Sequence, residues 1–150
     1  MDETDLRILK ILQDSPEISM AELGQLVGLS HTPCWRRVKQ LEANGAIRER
    51  AIVLDPKIMG FDISVFAHIK LKNPDEEMLE SLERMACARN EIVECFSMSG
   101  ESDHIFRIVV KNIAEYEHFL KKVLLHFPGV ASVNSHFALK CLKQTTKLPI

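Results

Sequence analysis

Arg36, Lys39 and Gln40 lie within little more than one helical turn in the run TPCWRRVKQLEA, and their side chains have the hydrogen-bonding chemistry that base edges and phosphates accept. A guanidinium can grip guanine O6 and N7 with two bonds, a carboxamide can do the same for adenine, and an ammonium neutralises phosphate. On a helix turning about 100° per residue, Val38 and Leu41 fall within about 40° of Cys34 and form an inner stripe. Thr32, Arg36, Lys39, Gln40 and Ala43 point the opposite way. Trp35 and Arg37 fall on the flanks, placed for the sugar–phosphate backbone, and His31 lies on the surface of the first turn. The candidate contacts to double-stranded DNA are therefore His31, Thr32, Trp35, Arg36, Arg37, Lys39 and Gln40. The other reading of the same residues is a solvated, charged helix face.

The elements needed to present such a helix are written around it. Ser19 and Glu22 have the S-x-x-E spacing of a capping box, and Ala21, Leu23, Leu26 and Val27 give the helix after Ser19 its apolar side. Gly28 ends that helix. Ser30 can cap the next one, with Pro33 in its first turn, where a missing N–H costs little. This is a helix-turn-helix layout. Upstream, Thr4 to Asp14 has Ile8, Leu9, Ile11 and Leu12 at helical spacing, with Asp2 or Thr4 available as cap and Pro16 as stop. Downstream, Asn44-Gly45 is a helix-stop signal, and Ala46 to Leu54 has the β-propensity of a wing and exit strand. Asp55-Pro56 breaks that strand, and Gly60 marks a boundary, giving a unit over residues 1–60 and another over 61–150.

The second unit alternates strands and helices. Ile63, Val65, Ala67, Ile69 and Leu71 alternate with Ser64, Phe66, His68, Lys70 and Lys72, a period of two and so a strand. Asn73-Pro74-Asp75-Glu76 opens a helix, with Asn73 as cap, Pro74 at the first position and acids at the positive end of the dipole. Its inner stripe is Met78, Leu79, Leu82, Met85 and Ala86. Ile92 to Ser99 and His104 to Lys111 are strands around a tight turn at Gly100 to Asp103. Asn112 and Glu115 form a second capping box ahead of the stripe Tyr116, Phe119, Leu120, Val123, Leu124 and Phe127, which Pro128-Gly129 stops. A last strand starts at Val133. The order is β-α-β-β-α-β, a ferredoxin-like arrangement in which two helices cover one face of a four-stranded sheet. Phe66, Ile105 and Val109 lie on the other face, and a partner subunit is the cover expected for them.

Composition narrows the function classes. The net charge is −2, and the first 50 residues set Arg7, Lys10, Arg36, Arg37, Lys39, Arg48 and Arg50 against eight acids. Binding to DNA must then rest on a local basic surface, multiplied by several copies on one assembly. No signal peptide is evident and no apolar run approaches the roughly 18 residues of a membrane span, so a cytoplasmic protein with no membrane partner is expected. Cys34, Cys87, Cys95 and Cys141 contain no C-x-x-C pair, and His118 and His126 stand eight apart, so neither a disulfide framework, a metal site nor any other cofactor is expected. There is no nucleophile elbow and no phosphate-binding glycine loop, and Glu101 and Asp103 on a short turn face water rather than a cleft. An enzyme is not expected.

The run from Leu29 to Gly60, LSHTPCWRRVKQLEANGAIRERAIVLDPKIMG, resembles the Lrp/AsnC, or feast/famine, transcriptional regulators, with their S-x-x-(T/P)-x-x-R-R-V-x-x-L-E helix, G-(V/A)-I turn and L-D-P linker. The resemblance continues through GESDHIFRIVV and ALKCLKQTTKLPI and covers essentially the whole chain. It implies an α+β chain, a winged helix-turn-helix followed by a ferredoxin-like βαββαβ domain that binds an effector and oligomerises. It also implies a homodimer assembling into a tetramer or octamer. In that family the turn between the second and third strands, typically G-x-(aromatic)-D-(Y), meets a free amino acid, with the Asp facing its ammonium group. Gly100 and Asp103 match that pattern, while Ser102 replaces the aromatic residue and His104 the Tyr. The resemblance thus gives Gly100, Glu101, Ser102, Asp103, His104, His136 and Ala138 as effector residues; an ordinary hairpin turn is the other reading of the loop, since Gly and Asp favour turns on backbone grounds alone. The resulting expectation is a sequence-specific DNA-binding regulator responding to a small amino acid. The alternatives are an effector-independent architectural DNA-binding protein and an amino-acid-binding regulatory subunit of an enzyme.

Overall fold

The computed structural model describes residues 1–73 and 75–150, and groups them into two compact units. One comprises Met1–Val53 together with Lys143–Ile150, the other Leu54–Leu142. The grouping differs from a division at residue 60 in that the linker from Leu54 goes with the second unit and the C-terminal tail with the first.

The first unit holds three helices, α1 (Glu3–Asp14), α2 (Met20–Val27) and α3 (His31–Ala43). Two of these N-termini are held by side-chain caps. Asp2 caps α1 in a box with Asp5, and Ser19 caps α2 in a box with Glu22. Ser30 occupies the cap position of α3 in extended geometry, but its side chain makes no cap hydrogen bond. Gly28 ends α2 at φ 75°, a left-handed conformation that glycine adopts without penalty. Ile8, Leu23, Val27, Cys34, Val38 and Leu41 form the core, with Leu9, Ile11, Leu12 and Ile47 packed at its edge. Ala21 and Leu26, expected on the inner side of α2, are exposed. Their place is taken by Gly24, which is buried. A Cβ there would stand 2.7 Å from the Leu29 carbonyl oxygen, so α2 meets the following turn backbone to backbone.

Ala46 to Leu54 forms no strand, and Ile52, Val53 and Leu54 are exposed. Their β-propensity has no ladder to satisfy, because every strand among the described residues pairs within the sheet of the second unit. The tail is held on α1 by a two-way pairing. The Leu148 N–H donates to Gln13 Oε1 at 2.6 Å, Gln13 Nε2 donates to the Leu148 carbonyl at 3.2 Å, and Lys147 lies 2.7 Å from Asp14.

The second unit contains β1 (Ile63–Leu71), α4 (Glu76–Cys87), β2 (Ile92–Ser97), β3 (His104–Val110), α5 (Ile113–Phe119), a π-helical turn (Leu120–Leu124) and β4 (Val130–Phe137). The antiparallel sheet has the order β2-β3-β1-β4, the ferredoxin-like arrangement. The cap of α4 is Asp75, whose carboxylate accepts from the Met78 N–H, not Asn73; Pro74 lies outside the described residues. Asn112 caps α5, but the Glu115 carboxylate reaches past it to the Lys111 N–H, so the reciprocal box is incomplete. The periodic stripe predicted to Phe127 is α-helical only to Phe119, after which the π turn takes over. Val65, Ala67, Ile69, Leu71, Phe106, Ile108 and Val110 meet Leu82, Ala86, Tyr116, Phe119 and Leu124 in the core. On the opposite face Phe96 is paired with Ile105, which is also paired with His68, while Phe66 is paired with Arg107 and Ser64 with Val109. Phe66 and Phe96 are exposed there.

Candidate nucleic-acid interface and effector site

The α3 helix turns its residues as the 100° stepping predicts. Cys34, Val38 and Leu41 are buried, and His31, Thr32, Trp35, Arg36, Lys39, Gln40 and Ala43 are exposed. Arg36 makes no ion pair among the described residues and is free to meet a ligand. Two other cations on this helix are not free. Arg37, expected on the sugar–phosphate backbone, directs Nη1 to Asp2 and Asp5, each at 2.7 Å, and so ties α3 to the start of α1. Those bonds, that to Asp5 first, raise the pKa of the guanidinium further. Lys39 lies 2.7 Å from Glu42, which Arg50 also approaches at 3.6 Å; the Lys39 hydrogen bond holds the Glu42 carboxyl below its usual range. A phosphate at Lys39 competes with Glu42 for the ammonium group, which has three N–H donors.

In the second unit, Glu101, Ser102 and His136 come together around an open depression of about 510 Å³, joined by His68, Val133, Asn134 and Ser135. The geometry follows from register. Phe66 of β1 faces His136 of β4, and His68 faces Asn134, so the two histidines are diagonal neighbours on one face. Their rings stack edge to face with centroids 4.9 Å apart, and Ser102 Oγ lies 3.4 Å from His68 Nδ1. His68, Val133, Asn134 and Ser135, which line the depression, were not among the expected effector residues. The available signal was the polar parity of β1, which puts His68 on the face away from the core; the register that brings His136 beside it is not written locally.

Four of the expected effector residues do not line this depression. Gly100 has φ 121° with open space where a Cβ would be, so its glycine answers the turn's backbone and not a close approach. Asp103 is occupied within the fold. Its carboxylate accepts from the Leu71 N–H at 2.7 Å and from Lys70 at 3.2 Å, and its own N–H donates to the Ile69 carbonyl. The Leu71 bond, more than Lys70, holds the carboxyl below its usual range. His104 points to the helix-covered side with Phe106, Ile108 and Val110 and is fully buried; Nε2 is 3.3 Å from Glu83 and Nδ1 has no partner among the described residues. Strand parity forces this, since residues 104, 106, 108 and 110 share a face. Ala138 lies past the end of β4 with its N–H donating to the Ser64 carbonyl.

Comparison with known proteins matches residues 64–148 to the Lrp/AsnC ligand binding domain and residues 1–48 to a winged helix-turn-helix DNA-binding domain. The chain belongs to the Lrp/AsnC family of transcriptional regulators. The Bkd operon transcriptional regulator of Pseudomonas aeruginosa is 36% identical over 150 residues, covering 100% of this chain and 98% of that protein. The crystal structure of an AsnC family transcriptional regulator from Agrobacterium tumefaciens superposes with a TM-score of 0.92 at 38% identity, over 99% of this chain and 97% of that one. A Neisseria meningitidis transcriptional regulator in complex with L-Met superposes equally well, with a TM-score of 0.92 at 32% identity, over 99% of this chain and 96% of that one. The matches fall on regulators, and the Lrp/AsnC pairing of a DNA-binding unit with a ligand-binding unit accounts for both halves of the chain. No helix among the described residues is long and apolar enough to cross a membrane.

Proposed function

We propose that this Lrp/AsnC protein is a cytoplasmic, non-enzymatic regulator that binds double-stranded DNA through the exposed face of α3 and responds to a free amino acid held at the His68–His136 depression. Arg36 and Gln40 supply base contacts, Lys39 supplies a phosphate contact in competition with Glu42, and His31, Thr32 and Trp35 border the interface. Arg37 serves the fold, as the strut between α3 and α1. The observation that carries the reading is the clean separation of α3 into a buried Cys34/Val38/Leu41 stripe and an exposed Arg36/Lys39/Gln40 face, within a unit whose family binds DNA. The L-Met complex of the Neisseria relative, of the same fold and 32% identical, supports an amino acid as the effector class. Self-association presents several α3 helices at once, which offsets the net charge of −2.

The test is a mobility-shift titration of the full chain on the DNA upstream of its own gene, repeated in the presence of each of the twenty amino acids. Shifted DNA with an affinity that one or a few amino acids change supports the proposal. Equal affinity for that DNA and for a scrambled duplex, or no amino-acid response, refutes the corresponding half of it.

A further inference from the structure

Two of the chain's free cysteines, Cys87 and Cys95, are brought together by the way α4 lies against the edge strand β2. Strands β1 and β2 both run antiparallel to β3 and so run parallel to each other, and α4, the crossover between them, runs back along β2. Glu83 of α4 stands over the row in which His104 of β3 is paired with Ser97 of β2, its carboxylate 3.3 Å from His104 Nε2. Cys87 is one helical turn further along the same face of α4, about 6 Å on. Cys95 is two residues back from Ser97, about 7 Å in the same direction, and packs against the core that Leu82 and Ala86 of α4 cover. The two displacements match, so Cys87 stands over the row of Cys95 and Phe106 as Glu83 stands over that of His104. Burial first, then the neighbouring Cys87 and Glu83, push the Cys95 thiol up, an influence that only nearby groups exert.

Cys87 is exposed and Cys95 half-buried, so an oxidant meets Cys87 first. We infer that Cys87 and Cys95 form a reversible redox-modification site, closed into an intrachain disulfide by exchange with a low-molecular-weight disulfide. In the first step the Cys87 thiolate attacks one sulfur of the small disulfide, whose S–S bond breaks and releases one thiolate. In the second, Cys95 gives its proton to solvent and attacks the Cys87 sulfur, and the other small thiolate leaves. The chain thereby loses two electrons and two protons, and the oxidant is reduced to two thiols. The new bond fastens the end of α4 to β2 across residues 88–91. A reducing thiol pool opens it again, the behaviour of a sensing pair and not of a structural disulfide. Cys34, in the core of the first unit, and Cys141, exposed past the end of β4, lie outside this arrangement.

The test treats the folded full chain, carrying Cys141→Ser to remove the other exposed thiol, with oxidised glutathione, then blocks free thiols by alkylation and digests with trypsin. Arg84, Arg89 and Arg107 place cuts on either side of each cysteine, so the disulfide is read by mass spectrometry as residues 85–89 joined to residues 90–107. The expected result is that linked peptide, from protein that runs at monomer size on a non-reducing gel, with both thiols recovered after dithiothreitol. Cys95→Ala, added to the same chain, stops the reaction at the first step, so glutathione stays on Cys87 at a level roughly tenfold or more above that in the chain with both cysteines. Circular dichroism melting checks that this variant folds, and the arm with both cysteines does not depend on it. Both cysteines recovered as free thiols overturn the inference, as do separate glutathione adducts on the two without a link. A linked peptide found only in protein of dimer size overturns it as well, since the bond then joins two chains.

Discussion

Asp103 shows how one carboxylate can look like a ligand contact in sequence and act as a fold contact in space. The G-x-x-D turn pattern predicted a group facing an ammonium ion, but the end of β1 supplies a backbone N–H and Lys70 first. Its pKa is lowered in the folded protein, mainly by the Leu71 bond, so its contribution is complete above the ordinary carboxylate pKa, about 3.9, and is lost as pH falls through the lower folded value. Urea unfolding followed from pH 7 to pH 3 should therefore show stability falling more steeply at the acid end for the native chain than for Asp103→Asn. Asp103→Ala strands the Leu71 N–H and should cost about 1–3 kcal/mol at neutral pH. Lys39 and Glu42 give a second residue-scale prediction. Glu42→Gln removes the anion that competes with phosphate, so binding to all duplexes should tighten regardless of sequence, measured by anisotropy at fixed salt.

At the scale of elements, the α2–α3 pair depends on Gly24 as much as on its caps. Gly24→Ala puts a methyl group 2.7 Å from the Leu29 carbonyl oxygen, and the thermal midpoint of the first unit should fall by the equivalent of about 1–3 kcal/mol. The α1–tail pairing predicts that Gln13→Ala speeds amide exchange at Leu148, which donates to Gln13 Oε1, while leaving the core amides of α3 slow. Helices and strands were legible because their signals are local: the Ser19/Glu22 box, the Cys34/Val38/Leu41 stripe and the alternation from Ile63 to Leu71 lie within a few residues of what they specify. Gly24 reads as a poor helix residue until the turn it touches is placed. Ile52 to Leu54 look like a strand because propensity does not say whether a partner exists. The His68–His136 pair depends on the β1–β4 register, between segments some seventy residues apart. The burial of His104 was available from parity alone, yet the family pattern at that position pointed to the loop.

Over the whole molecule, the sheet leaves one face to be covered from outside, with Phe66 and Phe96 exposed and Ile105 and Val109 half-buried. A second copy is the cover expected for this face, and light scattering should find the full chain at least dimeric at micromolar concentration, with Phe96→Asp shifting it to smaller species. A chain with net charge −2 gains little from its bulk field near DNA, so the proposed regulator is expected to act through several copies of one small basic face. On that face Arg36 is the cation that makes no ion pair among the described residues. The most direct test is an anisotropy titration of native protein and Arg36→Ala against the same specific duplex at fixed salt. A loss of about 1–3 kcal/mol of specific affinity, with the fold and the oligomer size unchanged, is the predicted result; an affinity within twofold of native would contradict the assignment of α3 as the DNA-reading helix.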